Sequence, residues 1–184
     1  MNKFLNVPNT LTILRISLIP IFVITFYLPW KCHYIFSTVV FILASLTDYL
    51  DGYLARKLQQ ESAFGTFIDP VADKLIIAVA LVLLVEEHAT RWFSIPAAVI
   101  VCREIVISAL REWMAEVGRR THVAVSWLGK LKTSLQMVAI TMLLAVPPDY
   151  SKIMLVAYGC LYLAVLLTIW SMLIYLWASR ESFL

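Results

Sequence analysis

Apolar residues fill most of the chain in long runs, and polar residues are concentrated in short intervals between the runs. A hydrocarbon core about 30 Å thick is crossed by roughly 20 apolar residues in a helix. The pattern predicts six such helices, at residues 9–29, 34–56, 65–86, 93–115, 123–146 and 153–178. Turn-like segments interrupt the runs, among them Pro29-Trp30-Lys31 and Pro147-Pro148-Asp149. The pattern therefore predicts an all-α integral membrane bundle.

Composition narrows the class of protein further. The 184 residues are 61% hydrophobic and only 15% charged, which lies far outside the range of soluble globular proteins. This length fits one domain, so we expect a single transmembrane domain over residues 1–184. The net charge of +3 comes with no dense basic run, so nucleic acid is not an expected partner. Three widely spaced cysteines argue against a disulfide framework or a thiolate metal site.

Basic residues are distributed asymmetrically between the two sets of loops. The N-terminus, the 2–3 and 4–5 loops and the C-terminus carry Lys3, Arg56, Lys57, Arg119, Arg120 and Arg180. The remaining loops carry only Lys31, Arg91 and Lys152. By the positive-inside rule, both termini and the 2–3 and 4–5 loops are predicted to be cytoplasmic.

Four aspartates interrupt the second and third apolar runs, although each ionised aspartate at the centre of a membrane helix costs about 2.5–3.5 kcal/mol. They are Asp48, Asp51, Asp69 and Asp73. Residues three or four apart share a helix face, so each pair lies on one face of its own helix. A connection of about eight residues makes the two helices antiparallel neighbours, and the acidic faces are predicted to meet. At 1.5 Å per residue, Asp48 and Asp73 lie about 12 Å inside the helix ends, in a water-accessible cup.

The chemistry of this cup follows from its charge. Carboxylates brought together repel unless a cation lies between them, and oxygen ligands suit Mg²⁺ or Mn²⁺ better than zinc. Gly52 and Gly65 allow a ligand to approach closely, and Arg56 offers a fork for a phosphate oxygen. These features favour a metal-bridged phosphoanhydride. Isolated loop-end carboxylates and an ion or proton pathway are the alternatives.

The whole stretch Asp48-x2-Asp51-Gly52-x2-Ala55-Arg56-x8-Gly65-x3-Asp69-x3-Asp73 resembles the signature of the CDP-alcohol phosphotransferases. These are integral membrane enzymes of phospholipid synthesis, and every position of the signature matches. The resemblance implies a six-helix fold, a homodimer and two Mg²⁺ or Mn²⁺ ions. It also implies that Asp48, Asp51 and Asp69 are metal ligands, and that Asp73 contacts a metal and acts as the general base.

The same resemblance implies contacts to the nucleotide lipid. Gly52, Arg56 and Ser62 match positions that contact CDP-diacylglycerol, and Asn9 and Thr12 match an N-terminal contact. Alternatives stay open, because Asn9 and Thr12 are also suited to capping a helix and Ser62 is also an ordinary loop residue.

Segments outside the signature bear on the acceptor. Residues 6–15, 69–74, 103–112 and 125–133 resemble the bacterial members that transfer a phosphatidyl group from CDP-diacylglycerol to sn-glycerol 3-phosphate. The implied products are phosphatidylglycerophosphate and CMP, and the implied location is the inner membrane, among its lipids, with the site facing the cytoplasm. Inositol phosphate, serine or a second phosphatidylglycerol are alternative acceptors within the family. A cation transporter is the alternative outside it, although no inverted repeat is visible.

An acceptor that carries a phosphate requires cations. The candidates are Arg103, Arg111, Lys130 and Lys132. Arg103 lies inside an apolar run and must pair with an acid or face the substrate. Glu104 is not expected to be its partner, because adjacent helical residues project about 100° apart, whereas Glu112 or an aspartate of the site is possible. Lys130 and Lys132 are alternatively explained by snorkelling to lipid phosphates.

Three histidines complete the polar inventory. His33, His88 and His122 lie near predicted helix ends and are too scattered for a metal site. A solvated or capping role is expected for them.

Overall fold

The structure is a computed structural model that describes residues 7–30, 32–58, 63–116, 127–149 and 151–179. Within these ranges, several residues are described as backbone only, and those that matter for the site are 48–58, Arg111 and Lys130.

The described residues form six helices and no strand, as the hydropathy pattern predicts. The helices are α1 Val7–Tyr27, α2 His33–Leu58, α3 Ala63–His88, α4 Arg91–Glu116, α5 Trp127–Ala145 and α6 Ser151–Ser179. Their bounds agree with the predicted ones to within two residues, except at the start of α5. The described part of this helix begins at Trp127, and residues 123–126 of the predicted span lie outside the described residues. The fold is therefore an all-α bundle.

Several of these helices are suited to crossing a membrane. Among the described residues, Asn9–Tyr27, Arg91–Met114 and Lys152–Ile174 are long and apolar enough, whereas the apolar parts of α2 and α5 are shorter. The outward faces carry large apolar side chains, such as Val82, Trp92 and Leu155, which are 64%, 73% and 76% exposed. Apolar exposure on this scale suits a lipid environment. The protein is a multi-pass membrane protein.

The chain divides into two compact units, and the single-domain prediction stays a prediction. The first unit spans residues 1–86 and 144–147 and contains α1, α2 and most of α3. Helix α1 packs against α2 through Phe22 and Phe41, whose ring centroids are 6.0 Å apart. Helix α3 contributes the buried residues Ala72, Ile76 and Ala80.

The second unit spans residues 87–143 and 148–184 and contains α4, most of α5, and α6. Helix α4 packs against α6, where Ala97, Ala157 and Ala164 are buried. Small residues at such positions allow two membrane helices to approach closely. The Tyr162 hydroxyl donates a hydrogen bond of 2.8 Å to the Trp92 carbonyl oxygen, which ties the two helices together.

One histidine prediction is wrong. His88 is stacked on Phe93 with 4.9 Å between ring centroids, and its Nδ1 lies 3.2 Å from the Tyr158 hydroxyl. Burial in this aromatic cluster lowers the pKa of His88. His88 is therefore a packing residue at the end of α3 rather than a solvated one. His122 lies outside the described residues.

Candidate active site

The N-terminal helix contacts one of the four signature aspartates. The Thr12 hydroxyl donates a hydrogen bond of 2.5 Å to Oδ1 of Asp69, which joins α1 to α3 across 57 residues of sequence. Thr12 is fully buried, and so is Asn9, one turn earlier on the same face. Helix α1 begins at Val7, so neither residue is its N-cap. The capping alternative is wrong, and Thr12 reaches the acidic site.

A second contact between the same helices sets their register. At the opposite end of the pair, the Tyr27 hydroxyl donates a hydrogen bond to the Glu86 carboxylate. The two contacts join residues 57 and 59 positions apart. The sequence separation between contacting residues is therefore almost the same at both contacts. This means that α1 and α3 run in the same direction, and that each residue of α1 from Thr12 to Tyr27 lies level with the α3 residue about 58 positions later.

Asp69 and Asp73 continue the inward-facing stripe of α3. The buried residues Ile76, Ala80 and Leu83 follow Asp73 at steps of three, four and three residues, and Asp69 precedes it by four. This spacing places both carboxylates on the packed side of the helix. Both aspartates are partly buried.

The α2 half of the signature is described as backbone only. Asp48, Asp51, Gly52 and Arg56 all lie in α2, where Asp48 and Asp51 are three residues apart. Their side chains, and all of Ser62, lie outside what the structure describes. That the two acidic pairs meet therefore stays a prediction.

A divalent metal fits the donors that are described. Two carboxylates and a hydroxyl form an all-oxygen set, which suits Mg²⁺ or Mn²⁺. Among the described side chains, no group of three or more His, Cys, Asp or Glu residues is placed to hold a metal, and the side chains of Asp48 and Asp51 are not among those described.

Arg103 lies in a buried polar cluster between α4 and α6. Its Nη1 is 2.5 Å from Oε1 of Glu104, and its Nη2 donates to the Ser171 hydroxyl at 3.3 Å. The sequence-based expectation that Glu104 is not its partner is wrong. Adjacent Cβ atoms do project about 100° apart, but two long side chains can bend back toward each other. The Nε of Arg103 is buried without a hydrogen-bond partner among the described residues.

Of the other three cationic candidates, the structure describes the side chain of Lys132 only. Arg111 lies two turns beyond Arg103 in α4 and Lys130 lies in the first turn of α5, both as backbone only. Lys132 is described in full, and its side chain is only 5% exposed. Snorkelling to lipid phosphates is therefore wrong for Lys132, because a snorkelling amine lies at the surface.

The sequence reasoning missed several buried polar residues, two of which lie one turn from a candidate site residue. Arg15 is fully buried in α1, and Gln136 is buried one turn beyond Lys132 in α5. Both residues are visible in the sequence as polar positions inside apolar runs. Arg15 follows Thr12 by three residues and Gln136 follows Lys132 by four, so each shares a helix face with a candidate site residue.

The helices define an integral membrane protein, and the aspartate signature lies on α2 and α3. Its family follows from comparison with known proteins. Residues 5–170 match the CDP-alcohol phosphatidyltransferase family, and the chain belongs to this family. The comparison confirms the resemblance drawn from the signature.

Curated relatives of one kind match almost the full chain. The chain is 54% identical over 177 residues to the CDP-diacylglycerol–glycerol-3-phosphate 3-phosphatidyltransferase of Pseudomonas fluorescens, covering 95% of this chain and 90% of that protein. It is 52% identical over 179 residues to the protein of that name from Haemophilus influenzae, with 97% and 96% coverage. The corresponding protein of Sodalis glossinidius is 50% identical over 178 residues, with 97% of each chain covered.

Proposed function

We propose that this protein transfers the phosphatidyl group of CDP-diacylglycerol to sn-glycerol 3-phosphate, producing phosphatidylglycerophosphate and CMP. One observation carries the proposal: relatives that share this name are about half identical to the chain over nearly its whole length. The contact between Thr12 and Asp69 adds structural support, because it brings the N-terminal segment to the signature.

The reaction needs a nucleophile, an electrophilic phosphorus and a leaving group. The acceptor hydroxyl oxygen attacks the β-phosphorus, and the bond from that phosphorus to the bridging oxygen of CMP breaks. CMP leaves with the electron pair, and the hydroxyl proton passes to a carboxylate. We assign this general base to Asp73, because it lies one turn beyond Asp69 on the same face of α3.

The aspartates would hold the metal. Asp48, Asp51 and Asp69, with Asp73 at the edge, are the proposed ligands of two Mg²⁺ or Mn²⁺ ions. Bound metal supplies Lewis-acid polarisation of the phosphoanhydride and neutralises charge on the departing CMP. The hydroxyl of Thr12 orients Asp69 for this role, since a ligating carboxylate is normally fixed by a second hydrogen bond.

Contacts to the nucleotide lipid are proposed for Gly52, Arg56, Ser62, Asn9 and Thr12. Asn9 supports the set, because it is a buried amide on the same face of α1 as Thr12.

The acceptor phosphate is proposed to bind among Arg103, Arg111, Lys130 and Lys132. Arg103 is the weakest of these candidates, since Glu104 already balances its charge and Ser171 accepts one of its hydrogen bonds. Lys132 remains a candidate and is buried in α5.

The location and assembly of the protein are part of the proposal. Location in the bacterial inner membrane, with the site open to the cytoplasm, rests on the distribution of basic residues between loops. A homodimer remains an expectation from the family resemblance.

The test is an acceptor comparison with purified protein in detergent. CDP-diacylglycerol, Mg²⁺ and labelled glycerol 3-phosphate should give CMP and a labelled lipid, whereas inositol 1-phosphate, serine and phosphatidylglycerol should give much less. Asp69→Asn should reduce turnover at least about 100-fold while the protein still inserts and folds, because it removes a ligand charge rather than a packing contact. Asp149→Asn is the matched control, because Asp149 is exposed in the turn between α5 and α6. CMP release without preference for glycerol 3-phosphate would contradict the proposed acceptor.

A further inference from the structure

Arg15 is a buried cation that the proposed reaction leaves unassigned. Its side chain is fully buried in α1, and it is the largest of the fully buried side chains of the protein that are described. A guanidinium always carries its charge, and burying that charge is costly unless a carboxylate or phosphate compensates it. The role of Arg15 therefore depends on which carboxylate compensates its charge.

The composition of the helices in the first unit restricts the choice. Helix α1 contains no acidic residue, and α2 contains only Asp48 and Asp51. In α3 the acids are Asp69, Asp73, Glu86 and Glu87. Glu86 is opposite Tyr27, twelve residues along α1 from Arg15, which is too far for the two side chains to meet. Glu87 lies one residue further along α3, so the acids of these helices that remain are the four aspartates of the signature.

The register of α1 and α3 places one of the two α3 aspartates level with Arg15. Thr12 contacts Asp69 at a separation of 57 residues, and Tyr27 contacts Glu86 at a separation of 59. Arg15 and Asp73 are separated by 58 residues, so they lie at the same level between these two contacts. Arg15 is three residues beyond Thr12 and Asp73 is four beyond Asp69, so both advance by about one turn in the same direction.

Arg15 and Asp73 also lie on the sides of α1 and α3 that face each other. Asn9, Thr12 and Arg15 form the polar end of the buried stripe of α1, which continues to Phe22 and Phe26. Asp73 lies on the stripe of α3 that continues to the buried Ile76. Thr12 on the first stripe is bonded to Asp69 on the second, so the next turn of each stripe brings Arg15 and Asp73 toward each other.

We propose that Arg15 is a positioning residue, whose buried guanidinium pairs with the carboxylate of Asp73 and holds it toward the acceptor hydroxyl. This inference rests on the proposed function for the role of Asp73, but the ion pair itself does not depend on it. Arg15 then restrains the base and offsets part of the negative charge of the aspartates before any metal is bound.

The first experiment measures coupling without metal or substrate. Thermal midpoints of wild type, Arg15→Met, Asp73→Asn and the double variant are compared in detergent with EDTA. Arg15→Met should lower the midpoint by roughly 6–20 °C, because it leaves a buried carboxylate without its cation. The double variant should be more stable than the sum of the two single changes predicts. Phe22→Leu, on the same stripe of α1, is the control and should add to Asp73→Asn without coupling.

The second experiment measures turnover. Arg15→Met should lower kcat roughly 10- to 100-fold with little change in the KM for CDP-diacylglycerol, since a misplaced base slows the chemical step. Arg15→Lys should recover part of this loss. If Arg15→Met does not fold, the double variant is still expected to fold, because it buries neither charge alone.

Additive midpoints, or coupling of Arg15 to Asp69 rather than to Asp73, would overturn the proposal. Failure of the proposed function looks different: wild type would release no CMP with glycerol 3-phosphate, while the coupling of midpoints would persist.

Discussion

At the scale of single residues, the Thr12 hydroxyl connects the N-terminal helix to the aspartate signature. Thr12 donates to Asp69 from a fully buried position, so its hydrogen bond is sheltered from competing water. A hydrogen bond to a charged group contributes about 1.5–3 kcal/mol, and leaving the carboxylate without its donor costs about as much. The orientation of Asp69 thus depends on a residue far away in the sequence.

Thr12→Val tests this dependence, because it removes the hydroxyl and keeps the shape of the side chain. We expect kcat/KM to fall roughly 10- to 100-fold, as a loss of 1.5–3 kcal/mol implies, and the Mg²⁺ concentration for half-maximal rate to rise. Metal titration of the purified variant measures both effects. Thr12→Ser should retain most of the activity.

The matched control for this change is Thr25→Val on the same helix. Among the described residues, the Thr25 hydroxyl donates to the Phe22 carbonyl oxygen, at 2.9 Å, within its own helix. If Thr25→Val alters the Mg²⁺ requirement as much as Thr12→Val does, the effect of Thr12 is a general one on α1 rather than a specific one on Asp69.

At the scale of elements, α4 carries two arginines, and the structure describes the side-chain contacts of Arg103 only. Arg103 is bonded to Glu104 and to Ser171 of α6, which makes it part of the packing between these helices. Arg111 lies eight residues further along α4, on nearly the same face. One helix thus carries a structural cation and a candidate ligand for the acceptor phosphate.

Parallel alanine substitutions should distinguish the two arginines. Arg111→Ala is expected to raise the KM for glycerol 3-phosphate roughly 10- to 100-fold, with the KM for CDP-diacylglycerol little changed. Arg103→Ala is expected mainly to lower the thermal midpoint, because it leaves Glu104 without its cation. Steady-state kinetics measure the KM values of both variants, and thermal unfolding in detergent measures their midpoints. The opposite pattern, with Arg103→Ala raising the acceptor KM at an unchanged midpoint, would make Arg103 the phosphate ligand.

At the scale of the whole molecule, the predicted topology places successive turns on opposite sides of the membrane. The turn between α1 and α2 is predicted to lie outside the cytoplasm, and it contains the exposed thiol of Cys32. Cys102 and Cys160 lie inside the membrane-spanning segments of α4 and α6, where a charged reagent does not enter.

A membrane-impermeant maleimide should therefore label Cys32 in spheroplasts without permeabilisation. Labelling is read by mass shift, and Cys32→Ser should remove it. If Cys32 reacts only after the membrane is permeabilised, the orientation is inverted, and the aspartate site does not face the cytoplasm.

Much of the architecture was predictable from the sequence alone, for a local reason. A helix in lipid must satisfy its own backbone and present about 20 apolar residues, so each spanning segment is visible as a run. The six helices were located in this way, and the spacing of the aspartates placed Asp69 and Asp73 on one face of α3. The signature also indicated the family, because its glycines, arginine and aspartates stand at fixed intervals.

Contacts between distant residues were decided by the tertiary structure. The sequence does not show that Thr12 bonds to Asp69, that Arg103 bends toward Glu104, or that His88 stacks on Phe93. Hydropathy and helical period are properties of a segment and its nearest neighbours, whereas these contacts depend on the rotation and register of packed helices and on the rotamers of long side chains. For the same reason, the full burial of Arg15 is a property of the packed helices rather than of its own segment.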